Sequence, residues 1–250
     1  MKGNKKNSRI GRNLLLSKFM MIKGFQKLSL IEYPEKISAI VFLGKCDFRC
    51  HFCYNIDLIK NYDKLPDIPE KEILDFLSTR KGLLDGLAIT GGEPTLHKDL
   101  PGFVKKVKDL GFLVMLETNG SNPKMLKELI ENKLVDYIAM DIKAPLEKYD
   151  EVTGVKVNKK DIQDSVDIIR NSGIDYEFRS TIIPKHFKEE DAIAIGKWLK
   201  GSKRYYLQQF RPEKTLDEKY QKMKQYPPEK LKEFADLMKP FFDSVKVRGI

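Results

Sequence analysis

The sequence predicts an α/β protein built on an open, partial (β/α)6 parallel barrel. Three observations predict it. Short apolar runs rich in β-branched and aromatic residues alternate with longer amphipathic segments. Gly, Pro, Asn or Asp punctuates each transition. The chemically unusual residues all follow an apolar run, at the carboxyl ends of strands where parallel α/β folds bind ligands. Repeated alternation of this kind builds a parallel sheet with right-handed crossovers. Six such units fall short of the eight that close a TIM barrel, so the sheet is expected to stay open.

Along the chain, strands are expected at about 37–43, 86–90, 112–118, 135–142, 175–183 and 204–210, with a short edge strand at Val245 to Arg248. Helices are expected near 68–80, 98–110, 122–133, 159–172, 188–200 and 228–240. Pro123 and Pro228 suit first-turn positions, where a missing N–H costs nothing. Asp161 begins a turn before the stripe Ile162, Val166, Ile169. Trp198 shares the helix at 188–200 with Ile193 and is expected in the core. His97 falls at a helix start and His186 in a loop after Pro184, so both are expected to be solvated surface residues.

With 250 residues, 41% of them hydrophobic, the chain can bury one sizeable core, which excludes disorder over most of its length. No run of ~18 uncharged apolar residues occurs, so no membrane span is expected. The net charge of +10 is concentrated: residues 1–24 carry Lys2, Lys5, Lys6, Arg9, Arg12, Lys18 and Lys23 and no acid, leaving about +3 for the rest. Residues 1–23 are therefore read as a basic, disordered leader, with Met20 or Met21 as an alternative natural start, and 24–250 as a single domain. The leader lacks the interleaved aromatics of a single-strand binder, so a nucleic-acid partner rests on charge alone. No small-residue cleavage site follows Leu14 to Leu16, which argues against a secretory signal.

The three cysteines of the chain, Cys46, Cys50 and Cys53, lie within eight residues, in the run Cys-Asp-Phe-Arg-Cys-His-Phe-Cys. An odd number with no export signal argues for a reduced, cytoplasmic metal loop rather than a disulfide scaffold. Soft thiolates at this spacing suit an iron–sulfur cluster or zinc. Three ligands for a [4Fe–4S] cluster leave one iron open to something that is not protein. The competing reading is a structural Cys3His zinc site, in which His51, adjacent to Cys50, would be a strained fourth ligand.

The other unusual residues share that rim. Thr90-Gly91-Gly92-Glu93-Pro94 follows the second expected strand, Glu117-Thr118-Asn119-Gly120 the third, and Asp141-Ile142-Lys143 ends the fourth. Arg179 and Thr181 lie on the fifth strand, and Gln208-Gln209-Phe210-Arg211-Pro212 closes the sixth. Residues two apart share a strand face, so Asp141 with Lys143, and Glu117 with Asn119, point the same way. Such a mouth suits a small zwitterionic ligand, and ion pairing among these groups is the alternative. At Gly91 and Gly92 the absence of Cβ lets backbone approach a ligand and offer carbonyls to an ammonium.

The Cys-x3-Cys-x2-Cys loop with Phe52 before its last cysteine, together with Gly91-Gly92-Glu93-Pro94, resembles the radical S-adenosylmethionine enzymes. The segment from Gly24-Phe25-Gln26 through Glu32-Tyr33-Pro34 is similar to the glycyl-radical-enzyme activases, in particular the anaerobic ribonucleotide reductase activating proteins. The resemblance implies that Cys46, Cys50 and Cys53 hold a [4Fe–4S] cluster whose fourth iron binds the amino and carboxylate groups of S-adenosylmethionine. It implies that Phe52 and Tyr54 border the adenine. Gly91, Gly92 and Glu93 would hold the methionine ammonium, and Lys143 and Arg179 would meet the carboxylate or ribose region. Asn119 and Asp141 would shape the ribose side, and Glu117, Thr118 and Asp141 match a monovalent-cation site of some activases.

The implied activity is reductive cleavage of S-adenosylmethionine to a 5′-deoxyadenosyl radical, which takes hydrogen from a glycine of a partner glycyl-radical enzyme. No cysteine-rich insertion supplies further clusters, so a flavodoxin or ferredoxin is the implied electron donor. Tyr54 stands where many activases have His, Arg211 lies near another such position, Glu35 replaces a frequent Gly, and Glu117 replaces a commoner Asp. Two other readings use the same residues: a radical enzyme acting on a small molecule or peptide, and a non-catalytic iron–sulfur or zinc protein.

Overall fold

The computed structural model describes residues 20–250, so most of the expected leader, residues 1–19, lies outside the described residues. Ile22 opens a strand that apolar periodicity passed over: β1 (Ile22–Ser29) runs antiparallel to β2 (Ser38–Leu43). Its sequence, IKGFQKLS, has no period-two pattern, and Leu28 is left exposed. From β2 onward each strand lies parallel to the next: β3 (Gly86–Gly91), β4 (Leu113–Thr118), β5 (Tyr137–Asp141), β6 (Asp175–Ile182), β7 (Ser202–Gln209) and β8 (Phe242–Arg248). Sheet order follows chain order, and no pairing returns β8 to β1 among the described residues. The sheet is open, as the six-unit pattern requires. Its last strand begins at Phe242, earlier than the expected Val245.

Helices carry the chain back between parallel strands. α1 (Ile56–Lys60) and α2 (Glu70–Ser78) link β2 to β3, α3 (Leu100–Asp109) links β3 to β4, and α4 (Pro123–Glu131) links β4 to β5. α5 (Tyr149–Thr153) and α6 (Lys159–Asn171) lead to β6, α7 (Glu189–Trp198) to β7, and α8 (Pro228–Met238) to β8. α1 and α5, at five residues each, are too short to show a helical period and were not expected. Asn122 caps α4 by accepting from the Met125 N–H at 3.3 Å, with Pro123 at the first helical position. Asn158 caps α6, accepting from Lys160 at 3.2 Å. Each such cap is worth about 1 kcal/mol. Trp198 is half-buried at the core margin, donating to Gln163 Oε1 at 2.7 Å with its ring edge-on to Tyr149.

Strand alternation decides what fills the barrel. One face of the central strands, with Leu87, Ile89, Val114, Leu116 and Ile138, packs under the helices. The other face supplies Ile40, Ala88, Met115, Tyr137 and Ala139, which fill the lower interior together with Tyr33 from the β1–β2 loop. Burying each large apolar side chain contributes roughly 1.5–3 kcal/mol. Two residues further along the same faces come Thr90, Glu117 and Asp141, so the interior turns from apolar to charged toward the carboxyl end of the sheet. No helix among the described residues is long and apolar enough to cross a membrane.

Candidate active site

A cavity of about 850 Å³ opens at the carboxyl ends of the strands. The loop after β2 builds one wall. Arg49 donates through Nη1 to the Cys46 and Phe48 carbonyls at 2.7 and 2.8 Å, and its own N–H bonds Thr153 O at 2.8 Å. Phe48 and Phe52 are buried and anchor the loop. Cys46, Cys50 and Cys53 are all free and all line the cavity. Burial pushes their thiols up, Cys50 to about 12, so the bare site favours SH over S⁻ and a bound metal has to displace those protons.

Donor chemistry gives a direct test of whether an iron–sulfur cluster with an open corner fits. His51, the side chain that would complete a Cys3His set, does not line the cavity. Its ring stacks on Tyr220 at 5.7 Å, and its Nδ1 faces Asp217 at 3.8 Å. Three thiols and no histidine therefore face the cavity, which is the donor set of a cluster with one iron left to a non-protein ligand. Among the described residues no three or more His, Cys, Asp or Glu side chains are gathered closely enough to hold a metal ion, so the fit rests on which donors face the cavity.

The turn after β3 presses against that loop. A Cβ on Gly92 would lie 2.0 Å from Lys45 O, and one on Gly91, where φ is +116°, would lie 2.5 Å from the Leu43 backbone. Only glycine permits this approach, which the Gly92 N–H to Leu43 O bond (2.7 Å) and the Glu93 N–H to Lys45 O bond (2.9 Å) fasten. Asn55 Nδ2 donates to Gly91 O at 2.8 Å, so that carbonyl already has a partner. Glu93 stands behind the wall rather than on it. Fully buried, its carboxylate accepts from Thr95, from the Thr118 hydroxyl at 2.8 Å and from Asn119 N–H at 2.7 Å, splicing the β3 and β4 turns. Burial pushes its pKa up to about 7, against those hydrogen bonds.

Across the cavity floor runs a charge cluster. Arg179 donates to Glu117 through both terminal nitrogens, at 2.6 and 3.0 Å, and through Nε to Asp141 at 2.6 Å. Lys143 donates to the other Asp141 oxygen at 2.8 Å, and Thr90 to Glu117 at 2.6 Å. Burial alone would raise the Glu117 carboxyl, but the Arg179 charge outweighs it and holds Glu117 below the usual carboxylate range. Asp141 is likewise held well below the usual range by Arg179 and Lys143, despite its burial. Glu32, beside the Glu117 carboxylate and partly buried, is pushed above the usual carboxylate range even though its Oε1 lies 4.0 Å from Arg179 Nη1.

The residues expected at a monovalent-cation site, Glu117, Thr118 and Asp141, are engaged with one another's neighbours. Both Glu117 oxygens and both Asp141 oxygens accept from fixed donors, and the Thr118 hydroxyl donates to Glu93 while accepting from Gly120 N–H at 3.1 Å. A guanidinium already occupies the space between the two carboxylates, because the longer Glu117 reaches Arg179.

Of the residues expected at the cofactor, Phe52, Tyr54, Gly91, Gly92, Asn119, Asp141, Lys143 and Arg179 line the cavity with the three cysteines, and Glu93 does not. Tyr54 accepts from the Arg211 N–H at 2.7 Å, and Asn119 donates to Asp47 at 2.9 Å. Two expectations fail. His97 is buried, its Nε2 2.8 Å from Gly44 O at the root of the cysteine loop, and His186 is buried 2.6 Å from the Tyr220 hydroxyl. Both sit on short polar-looking turns that packing covers.

The radical SAM superfamily model matches residues 40–195, more than half the chain and the whole stretch from the cysteine strand to α7. The chain belongs to the radical SAM superfamily. This radical SAM enzyme is 34% identical over 236 residues to a Methanocaldococcus jannaschii protein whose name assigns it, provisionally, to the glycyl-radical enzyme activating enzymes, covering 92% of this chain and 96% of that one. A second M. jannaschii protein of the same designation is 31% identical over 196 residues, covering 75% and 72%. In fold it is similar to Streptococcus suis SuiB, with a TM-score of 0.64 at 16% identity, over 82% of this radical SAM chain and 47% of SuiB, so it spans about half of SuiB's length. A domain of a Bacteroides vulgatus pyruvate-formate lyase-activating enzyme matches with a TM-score of 0.54 at 14% identity, over 66% of this chain and 99% of that domain.

Sequence reading missed Asn55, Glu32 and Arg248 among the cavity residues. Asn55 and Glu32 lie in loops with no metal-like spacing. Arg248 carried a usable signal: strand alternation puts it on one face with Lys246.

Proposed function

We propose that the domain that begins with β1 at Ile22, two residues before the expected boundary, is the catalytic domain of an activating enzyme that cleaves S-adenosylmethionine and takes hydrogen from a glycine of a partner glycyl-radical enzyme. The observation that carries the chemistry is the set of three thiols facing one cavity while His51 is turned away from it. The choice of partner rests on the 34% identity to the M. jannaschii relative. Cys46, Cys50 and Cys53 would hold a [4Fe–4S] cluster, which supplies one electron to break the cosubstrate's C5′–S bond to methionine and a 5′-deoxyadenosyl radical.

The chain's own residues bind, orient and shield. Lys143 and Arg179, fixed by Asp141 and Glu117, present immobile N–H groups toward a carboxylate or ribose hydroxyl. Phe52 and Tyr54 offer aromatic surface to an adenine, and Asn119 an amide to the ribose. The apolar lower interior keeps water from entering beneath the site. The electron comes from a flavodoxin- or ferredoxin-like protein, in a reducing cytoplasm that keeps the thiols free.

Anaerobic reconstitution, followed by dithionite and S-adenosylmethionine, tests the reading. About four irons per chain and 5′-deoxyadenosine as product are expected, both lost in Cys50→Ala. With a glycyl-radical enzyme from the same organism, a glycine-centred paramagnetic signal is expected. Full 5′-deoxyadenosine formation by Cys50→Ala would defeat the assignment, and product that is a modified small molecule would replace the partner.

A further inference from the structure

Arg248, at the end of β8, lines the cavity beside its register partner Gln208 on β7. It is one of the most firmly held cations in the molecule. Glu177, with no solvent exposure, accepts from both of its terminal nitrogens, one of them at 2.9 Å. The Tyr137 hydroxyl donates to the same carboxylate at 2.8 Å, and the guanidinium carbon lies 3.4 Å from the centre of the Tyr206 ring. A third of the side chain (33%) remains accessible. The cofactor assignment uses nothing on β7 or β8, so this wall has no role in it.

The charge balance of the wall selects its ligand. An arginine has five N–H donors, and Glu177 takes two of them while cancelling the charge. What remains suits a neutral carbonyl. A polyphosphate needs cations without carboxylate partners. Lys143, Arg179 and Arg248 are each matched by Asp141, Glu117 or Glu177, and Arg211, on the exposed rim, is the one cavity-lining cation lacking a carboxylate among the described residues. The β1–β2 loop carries Leu30 and Ile31, 70% and 88% exposed, and Ile31 borders the same cavity. Apolar side chains so placed suit the flanks of a polypeptide.

We infer that the β7–β8 wall, anchored by Arg248, receives the uncharged backbone of a partner polypeptide and turns away nucleotide polyphosphates. The inference rests on the proposed function and deepens it by naming where the partner's segment lies and what is excluded.

Calorimetric titration of the reconstituted enzyme with S-adenosylmethionine present tests it, using N-acetyl-Ala-Ala-Gly-Ala-Ala amide and GTP as probes. Saturable binding of the peptide is expected, weakened about tenfold by Arg248→Gln, as loss of a hydrogen bond from a charged group requires. GTP is expected to show no saturable binding to the native chain and saturable binding to Glu177→Gln, where the arginine charge is released. Arg248→Lys keeps a positive charge for Glu177 and guards against misfolding: it too should weaken the peptide, while the chain still unfolds in one cooperative transition. Saturable GTP binding that Arg248→Gln abolishes, peptide binding indifferent to both Arg248 variants, or no peptide binding at all would each overturn the inference. Peptide binding as expected, without any glycine radical in a partner, would instead defeat the activase reading and leave this wall standing.

Discussion

Gly92→Ala is the sharpest steric test of how the cysteine loop is held. The added Cβ would lie 2.0 Å from Lys45 O and 2.6 Å from Lys45 C, both backbone atoms, so no side-chain rotation relieves it. Either the β3 turn or the root of the cysteine loop has to move, at the cost of the Glu93 N–H to Lys45 O bond. Overpacking of this kind costs about 1–3 kcal/mol, and a clash between two backbones belongs at the upper end. A chain of this length loses about 2–4 °C per kcal/mol, so a fall of roughly 6–12 °C in melting temperature is expected. Gly102→Ala is the internal control. Gly102 lies within α3 with nothing within 4 Å of its added Cβ, so alanine there should stabilise by about 1 kcal/mol. Differential scanning calorimetry of both variants, with iron content after reconstitution, reads the outcome. A Gly92→Ala chain as stable as the native one, with full iron, would show that the two segments do not press together as described.

Two further outcomes follow from the charged interior. Arg179→Met strands the buried Glu117 carboxylate and leaves Asp141 with Lys143 alone, and should cost about 3–5 kcal/mol in denaturant unfolding; a loss below 1 kcal/mol would mean that the cluster is solvated. Glu93 gives a pH signature. Its folded pKa of about 7 exceeds the ordinary 4.5, so the folded state holds the proton longer, and its contribution to stability falls as pH rises from about 4.5 to 7. Relative to Glu93→Gln, the native chain should lose about 3 kcal/mol across that window, and parallel stability curves for the two would refute the burial.

The sheet and the rim were legible because their signals are local. β-branched runs such as Ser38–Leu43 and the clustered Cys46, Cys50 and Cys53 announce themselves within a few residues. β1 was hidden because its pairing with β2 needs no apolar alternation of its own. The burial of His97 and His186 depends on what distant segments lay over them, namely the Gly44 carbonyl and Tyr220. Glu93 belongs to the Gly-Gly-Glu-Pro turn that carries the resemblance, and its splice between two turns depends on Thr118 and Asn119, some 25 residues away, which no spacing rule connects. Pairing of Arg179 with Glu117 and Asp141 was visible as an alternative, but which partners meet is set by register across three strands.

In the proposed function one iron of the cluster is left to a non-protein ligand, since His51 turns toward Tyr220 and Asp217. Electron–nuclear double resonance of the reduced, reconstituted enzyme decides it, run once with ¹⁵N-amino-labelled S-adenosylmethionine and once with ¹⁵N-histidine protein. A strong coupling to the labelled amino group, with none to histidine, is the result expected. A directly bonded histidine nitrogen that disappears in His51→Ala would make the fourth ligand a protein side chain and overturn the proposed function.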